Sequence, residues 1–133
     1  MTIERINPTD VYEPNKDIYT QVIKTTGGTN VLLAGIVPFD TDKNIVGIGD
    51  MKAQVQQVLR NLKRALAAAG ATPSDVVRIN ALATDVDLYI EEGAPQVIEF
   101  FGNTKPTSTT YEVQRLVHPD WLIEMETIAA KEA

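Results

Sequence analysis

The sequence has no cysteine and only one histidine among its 133 residues. The absence of cysteine excludes disulfide bonds, thiolate metal sites and cysteine nucleophiles. The single histidine, His118, precedes Pro119 in a predicted turn, and a lone loop histidine is typical of a solvated side chain rather than a general base. Asp40 and Asp42 form a loop pair without partners at ligand spacing. We therefore expect no metal and no cofactor.

Basic residues are also scarce. The chain carries 12 Lys and Arg against 18 Asp and Glu, which gives a formal charge of −6. A nucleic-acid-binding protein usually has a basic excess or a clustered basic face. Arg60, Lys63 and Arg64 lie on one predicted helix and indicate a solvated outer face instead. No nucleic-acid partner is expected.

Long hydrophobic runs are absent as well. No apolar segment approaches the ~20 residues that a membrane-spanning helix requires. Residues 1–5 lack the basic and apolar regions of a signal peptide. The expectation from the sequence is a cytoplasmic protein without a membrane partner.

The length and the 44% hydrophobic content indicate one α+β domain over residues 1–133. Asp50 is a good helix N-cap and Gly70 a natural helix stop, while Gly93 and Pro95 interrupt a second helical region. Gly27 and Gly28 predict a turn that joins two strands as a hairpin. The predicted strands are 3–6, 19–24, 31–37, 76–83, 107–113 and 122–129, and the predicted helices are 50–70 and 86–101.

This order predicts a two-layer sandwich, in which a mixed six-stranded sheet has both helices on one face. The second face of the sheet then needs cover, and self-association is the expected source. The apolar strand positions assigned to that face are Val31, Leu33, Val77, Ile79, Trp121 and Ile123.

Two carboxylates on the last strand indicate a site. Glu124 and Glu126 lie two residues apart, so their side chains point to the same face of the strand. A carboxylate on a packed face is costly unless another group compensates it. Glu124 has a structural alternative, an inter-subunit ion pair, for example with Arg115 or Arg78, and Glu126 is the better candidate for a structural pair.

A set of short sequence segments, called landmarks here, occurs in a characteristic order along the chain and extends this interpretation. From about residue 19 to residue 129 the chain resembles the Rid family, the reactive intermediate deaminases that are also called YjgF or endoribonuclease L-PSP proteins. Each landmark alone is mostly packing or turn chemistry, and their order is what is specific. The landmarks are 34–38, Gly49-Asp50, 54–62, Gly70, 75–78, Thr84-Asp85, 100–102, Pro106, Glu112-Val113, Arg115-Leu116 and 124–126.

The resemblance implies a chorismate-mutase-like fold that assembles as a homotrimer, with clefts between the subunits. It also implies hydrolysis of enamines and imines, released by pyridoxal-phosphate enzymes, to a keto acid and ammonia. The family's arginine, two residues after the proline, is replaced here by Ser108. A hydroxyl cannot reproduce bidentate recognition of a carboxylate, so activity on simple 2-iminoacids is expected to be weak or absent.

The same resemblance supplies the candidate site. Glu124 matches the family's functional glutamate and is the catalytic candidate, while Tyr19 matches an aromatic residue that lines the cleft. Backbone groups near Gly35 would help to orient water. Ser108 and Thr110 share a strand face and predict a hydroxyl-lined pocket that faces Glu124.

Three functions are compatible with this sequence. The first is a Rid-type hydrolase of a small enamine, imine or related C–N compound. The second is a non-catalytic trimer that binds a small metabolite. The third, a ribonuclease or translation inhibitor, is disfavoured by the acidic charge and the lack of a histidine pair. A substrate carboxylate would need a cation in place of the missing arginine, and Lys105 and Arg115 are nearest in sequence.

Overall fold

The computed structural model of the chain describes residues 1–14 and 18–132. It has the predicted α+β fold, with both helical regions packed on one face of a mixed sheet. The strands are β1 (Thr2–Ile6), β2 (Val22–Thr26), β3 (Thr29–Ile36), β4 (Val76–Ala83), β5 (Thr107–Glu112) and β6 (Ile123–Lys131). The helices are α1 (Met51–Ala68), α2 (Val86–Leu88) and α3 (Ala94–Phe101), with a π-helical turn at Tyr89–Gly93 and a 3₁₀ turn at Pro73–Asp75.

The six strands are divided between two sheets. The main sheet has the order β3-β6-β4-β5, with β4 and β5 parallel and the other neighbours antiparallel, while β1 and β2 form a separate antiparallel pair. The predicted single six-stranded sheet, with β2 and β3 as a hairpin, therefore differs from the structure. The reason is burial: β3 places Val31 and Leu33 against the core, whereas four of the five residues of β2 are exposed.

The helices begin and end where local chemistry predicts. The side chain of Asp50 accepts a hydrogen bond from the Ala53 backbone N–H at 3.0 Å and caps α1. Pro95 lies in the first turn of α3, where its missing N–H costs little. Gly102 ends α3 with φ +53°. The second helical region thus remains continuous through a π-helical turn.

The side of the main sheet away from the helices, called the open face here, is left largely uncovered by the described part of the chain. It carries Leu32, which is 75% exposed, together with Ile128 and Tyr111 at 39% and 47%. Four positions that the sequence assigned to this face pack on the helix side instead: Val31, Leu33, Ile79 and Ile123. A continuous apolar run does not reveal its alternation phase, and a shift of one residue exchanges the two faces.

Candidate functional site

Glu124 lies on the open face of β6, directly opposite Leu82 of β4. Its half-buried carboxylate crosses above the backbone of Gly35, next to an irregularity in the pairing of β3 with β6. A Cβ atom added at Gly35 would come within 2.5 Å of Glu124 Oε2. The glycine is therefore what permits this close approach. The structure thus brings two of the predicted site residues together.

The environment of Glu124 favours its protonated form. Burial raises the pKa of the Glu124 carboxyl group, and the negative charge of Glu126 on the same strand face raises the pKa further. Within residues 1–14 and 18–132, Glu124 forms no ion pair. A carboxyl group with a raised pKa and no ion-pair partner is suited to give and take protons.

The two arginines proposed as inter-subunit partners make other contacts within their own chain. Arg78 contacts the Asn80 side chain at 2.8 Å and Thr109 Oγ1 at 2.7 Å. Arg115 donates to the backbone carbonyls of Leu116 and Val117, both at 3.1 Å. Neither arginine therefore supplies an ion pair to Glu124 within the described chain.

Glu126 has a partner of its own on the open face. Its Oε1 accepts a hydrogen bond from Asn80 Nδ2 at 3.3 Å. The partner is an amide rather than a cation, so within the described chain Glu126 makes a polar contact and no ion pair. Glu124 and Glu126 thus share a face, as the strand alternation predicts, but differ in their surroundings.

A cavity of about 290 Å³ lies on the opposite, helix-covered side of the sheet, between β5 and the second helical region. Ser108 is half-buried in its wall and Thr110 lies at its exposed rim. The other lining residues are apolar or aromatic apart from the backbone of one glycine: Ile18, Ile79, Tyr89, Ile90, Ala94, Val97, Ile98, Phe101 and Gly102. This is a small, mainly apolar pocket whose lining residues include three with hydroxyl groups, Ser108, Thr110 and Tyr89.

The prediction that Ser108 and Thr110 face Glu124 is wrong for a single chain. Ser108 is in register with Ile79, whose side chain belongs to the core on the helix side. Glu124 is in register with Leu82, three residues later in β4 and therefore on the other face. The two halves of the predicted site are separated by the thickness of the sheet.

Tyr19 lies just before β2, beside the start of β5. Its neighbour Thr20 anchors this segment, because Thr20 Oγ1 donates to the Lys105 carbonyl at 2.5 Å and the Thr20 N–H to the Pro106 carbonyl at 3.3 Å. The cavity is lined by Ile18 and not by Tyr19. Tyr19, the aromatic residue predicted for the cleft, therefore does not line this cavity within one chain, whereas its neighbour Ile18 does.

Tyr89 is a cavity residue that the sequence did not single out. It is buried, and burial raises its pKa to about 12, so its hydroxyl stays protonated at neutral pH. Its ring packs beside Gly93, where an added Cβ would come within 2.7 Å of Tyr89 Cδ1. The one sequence feature that could have indicated a role for Tyr89 is the Tyr-x-x-x-Gly spacing in the second helical region. This spacing is equally typical of core packing.

The polar loop residues serve local structure. His118 Nδ1 accepts the Asp120 N–H at 3.0 Å, and Asp40 accepts the N–H groups of Asp42 and Asn44, both at 2.9 Å. The Asn44 hydrogen bond lowers the pKa of Asp40.

The described residues contain no group of three or more His, Cys, Asp or Glu side chains that could hold a metal ion. No helix in that part of the chain is long and apolar enough to cross a membrane.

Comparison with known proteins agrees with this architecture. The family model described as Endoribonuclease L-PSP matches residues 13–131. A RutC family protein of Pyrococcus abyssi is 38% identical over 114 residues, which cover 86% of this chain and 87% of that protein. A RutC family protein of Sulfurisphaera tokodaii is 34% identical over 113 residues, 85% of this chain and 87% of its own length.

Solved structures show the same fold. A Rid family protein of unknown function from Yersinia pestis superposes with a TM-score of 0.90 at 32% identity, covering 98% of this chain and 100% of that one. A YjgF family member from Mycobacterium tuberculosis gives a TM-score of 0.66 at 32% identity, covering 85% and 86%. The sequence matches and the shared sandwich fold lead to one conclusion. The chain belongs to the Rid family, also named RutC, YjgF or Endoribonuclease L-PSP.

Proposed function

We propose that this protein hydrolyses a reactive enamine or imine in a cleft between subunits of a homotrimer. The observation that carries the proposal is the Glu124 carboxyl group, which is half-buried above Gly35, has a raised pKa and lacks an ion-pair partner in the described chain. Membership of the Rid family supports this reaction class over other uses of a carboxylate.

Assembly follows from the separation of the two half-sites. Ser108 and Thr110 line the cavity on the helix side, and Glu124 lies on the open face. One copy cannot bring these groups together, whereas a cavity from one copy and an open face from its neighbour can form one cleft. The exposed apolar side chains of the open face, with Leu32 the most exposed, give the assembly its driving force.

The reaction needs only a placed water and a proton carrier. Glu124 takes a proton from water as the water oxygen bonds to the imine carbon, and the C=N π pair moves to nitrogen. Glu124 returns that proton to nitrogen to give a carbinolamine, and it then carries the proton of the new hydroxyl group to nitrogen as well. The C–N bond breaks with its electron pair on nitrogen, and ammonia leaves as the carbonyl forms. No oxidation or reduction occurs. General acid–base help of this kind contributes about 10²–10⁴-fold.

The test compares Glu124→Gln with Glu126→Gln. Imines are generated in situ by amine or amino-acid oxidases, and carbonyl and ammonia release are followed with and without the protein. Glu124→Gln keeps the shape and removes the proton carrier, so turnover should fall at least about tenfold, equivalent to ~1.4 kcal/mol. Glu126→Gln should retain most of the turnover. A fully active but destabilised Glu124→Gln protein would contradict the catalytic role.

Non-catalytic binding of a small metabolite is the second candidate function. The specific observation that favours it is the cavity wall, whose only polar side-chain groups among the described residues are hydroxyls that could hydrogen-bond a small ligand. Tight ligand binding to the wild-type protein without acceleration of hydrolysis would select this function. The ribonuclease alternative stays disfavoured, because the chain carries a charge of −6 and a single histidine.

A further inference from the structure

We propose that the ligand of the 290 Å³ cavity is uncharged and largely apolar, with one hydrogen-bonding group and no carboxylate. The preferred substrate would then be an imine or enamine of a simple ketone or aldehyde rather than of a 2-keto acid. This inference rests on the proposed function for the reaction, and on the cavity alone for the class of ligand.

The first support is the composition of the wall. Nine of the eleven lining residues are apolar, aromatic or glycine, and the other two are Ser108 and Thr110. No lining residue within the described chain carries a charge. Ile18 and Ile90, which are 43% and 61% exposed, extend the apolar surface to the solvent. A ligand that enters therefore passes apolar side chains before it reaches the half-buried Ser108 hydroxyl.

The second support is that the nearest cations of the same chain do not line the cavity. Lys105 lies just before β5 but is not among the lining residues, and its backbone carbonyl is held by Thr20. Arg115 lies beyond the end of β5, and its guanidinium binds the carbonyls of Leu116 and Val117. The cations that the sequence suggested as substitutes for the family arginine are thus absent from the wall.

The third support is electrostatic. The second helical region, which forms one wall of the cavity, also carries the exposed residues Glu91 and Glu92. The whole chain has a charge of −6. The resulting negative electrostatic potential disfavours an approaching anion. A carboxylate that enters an apolar cavity loses its hydration, and neutral hydroxyls do not replace a charge-assisted pair. A ketone or imine needs only one hydrogen bond, which Ser108 supplies.

The experiment uses a matched pair of ligands that differ in one group. 4-Methyl-2-pentanone and 4-methyl-2-oxopentanoate share a carbon skeleton, except that a methyl in the ketone is a carboxylate in the keto acid. Binding of each to the full chain is measured by ligand-observed NMR titration. The wild-type protein should bind the ketone at least about tenfold more tightly than the keto acid.

Two variants locate the effect. Ser108→Arg places a cation in the cavity and should reverse the preference, so that this variant binds the keto acid more tightly than the ketone. Gln114→Arg adds the same charge at an exposed position beyond the end of β5 and should leave the preference unchanged. The wild-type comparison remains decisive if Ser108→Arg does not fold.

The outcomes separate the ligand class from the reaction. Equal or tighter binding of the keto acid by the wild-type protein would overturn the inference, as would binding of neither compound. Preferential ketone binding supports it. If the ketone binds but the corresponding imine is not hydrolysed faster than in buffer, the hydrolase proposal fails while the ligand class stands.

Discussion

The close contact between Gly35 and Glu124 can be tested by replacing Gly35 with alanine, which adds a single Cβ atom. Gly35 is not at a positive φ, so alanine is compatible with its backbone, yet the new Cβ would lie 2.5 Å from Glu124 Oε2. We expect Gly35→Ala to displace the carboxylate, with little loss of stability because a flexible side chain can move aside. Imine turnover should fall about tenfold or more, as measured in the oxidase-coupled assay.

The control for that variant is the double mutant. If Gly35→Ala acts through the Glu124 carboxylate, then adding it to Glu124→Gln should cost almost nothing further, because the group it displaces is already impaired. If Gly35→Ala lowers imine turnover by the same factor in the wild-type protein and in Glu124→Gln, then Gly35 affects the site independently of Glu124.

The raised pKa of Glu124 also predicts a pH dependence of stability. Its folded-state pKa lies above the ordinary value of 4.5, because burial and then Glu126 disfavour the charged form. The folded state therefore binds this proton more tightly than the unfolded state. As pH rises from below 4.5 through the raised pKa, the free energy of unfolding contributed by this group decreases.

Urea denaturation of the wild-type protein and Glu124→Gln across this pH range measures the effect. The variant has no titrating group at this position, so its stability should decline less over the same window. Parallel pH profiles for the two proteins would contradict the assignment of the raised pKa to Glu124.

At the scale of elements, Gln54 connects α1 to the loop before it and to the loop that leads into β6, the strand of Glu124. It is fully buried, its Nε2 donates to the carbonyls of Gly47 and Asp120 at 3.1 and 2.9 Å, and its Oε1 accepts the Leu122 N–H at 2.7 Å. Gln54→Leu leaves these backbone groups without a partner. The free energy of unfolding should fall by roughly 2–4 kcal/mol, measured by chemical denaturation.

Gln56 supplies the matched control on the same helix. It is only half-buried, and its side chain makes one long contact, 3.3 Å, with Gln96 Oε1. Gln56→Leu should change the free energy of unfolding by less than about 1 kcal/mol. Equal losses for Gln54→Leu and Gln56→Leu would show that the buried network does not hold α1 to the loops.

At the scale of the whole molecule, the open face predicts assembly. Leu32 on this face is 75% exposed, and Val117 in the loop before β6 is 81% exposed. We expect a trimer for the wild-type protein and for Val117→Glu, but dissociation for Leu32→Glu, because only Leu32 would be buried against another copy. Light scattering at micromolar concentration measures this. A stable wild-type monomer would contradict both the assembly and the shared cleft.

The sequence alone determined most of the local structure. The period of apolar residues and the N-cap Asp50 predict α1 as 50–70 against the observed Met51–Ala68. The strand at 76–83 matches β4 at both ends, and Pro95 and Gly102 mark the start and end of α3. These features depend on neighbouring residues, and short-range chemistry is sufficient to specify them. The fold class then follows from the order of the elements.

Only the tertiary structure decided which strands pair and which side of each strand is buried. β2 pairs with β1 rather than with β3, and Ser108 faces the helix side while Glu124 faces the other. Alternation along a strand has two phases that differ by one residue, and contacts with partners distant in sequence select between them. The candidate residues could therefore be named from the sequence. Their division into two half-sites could not, because it depends on the register of β4 with β5 and β6.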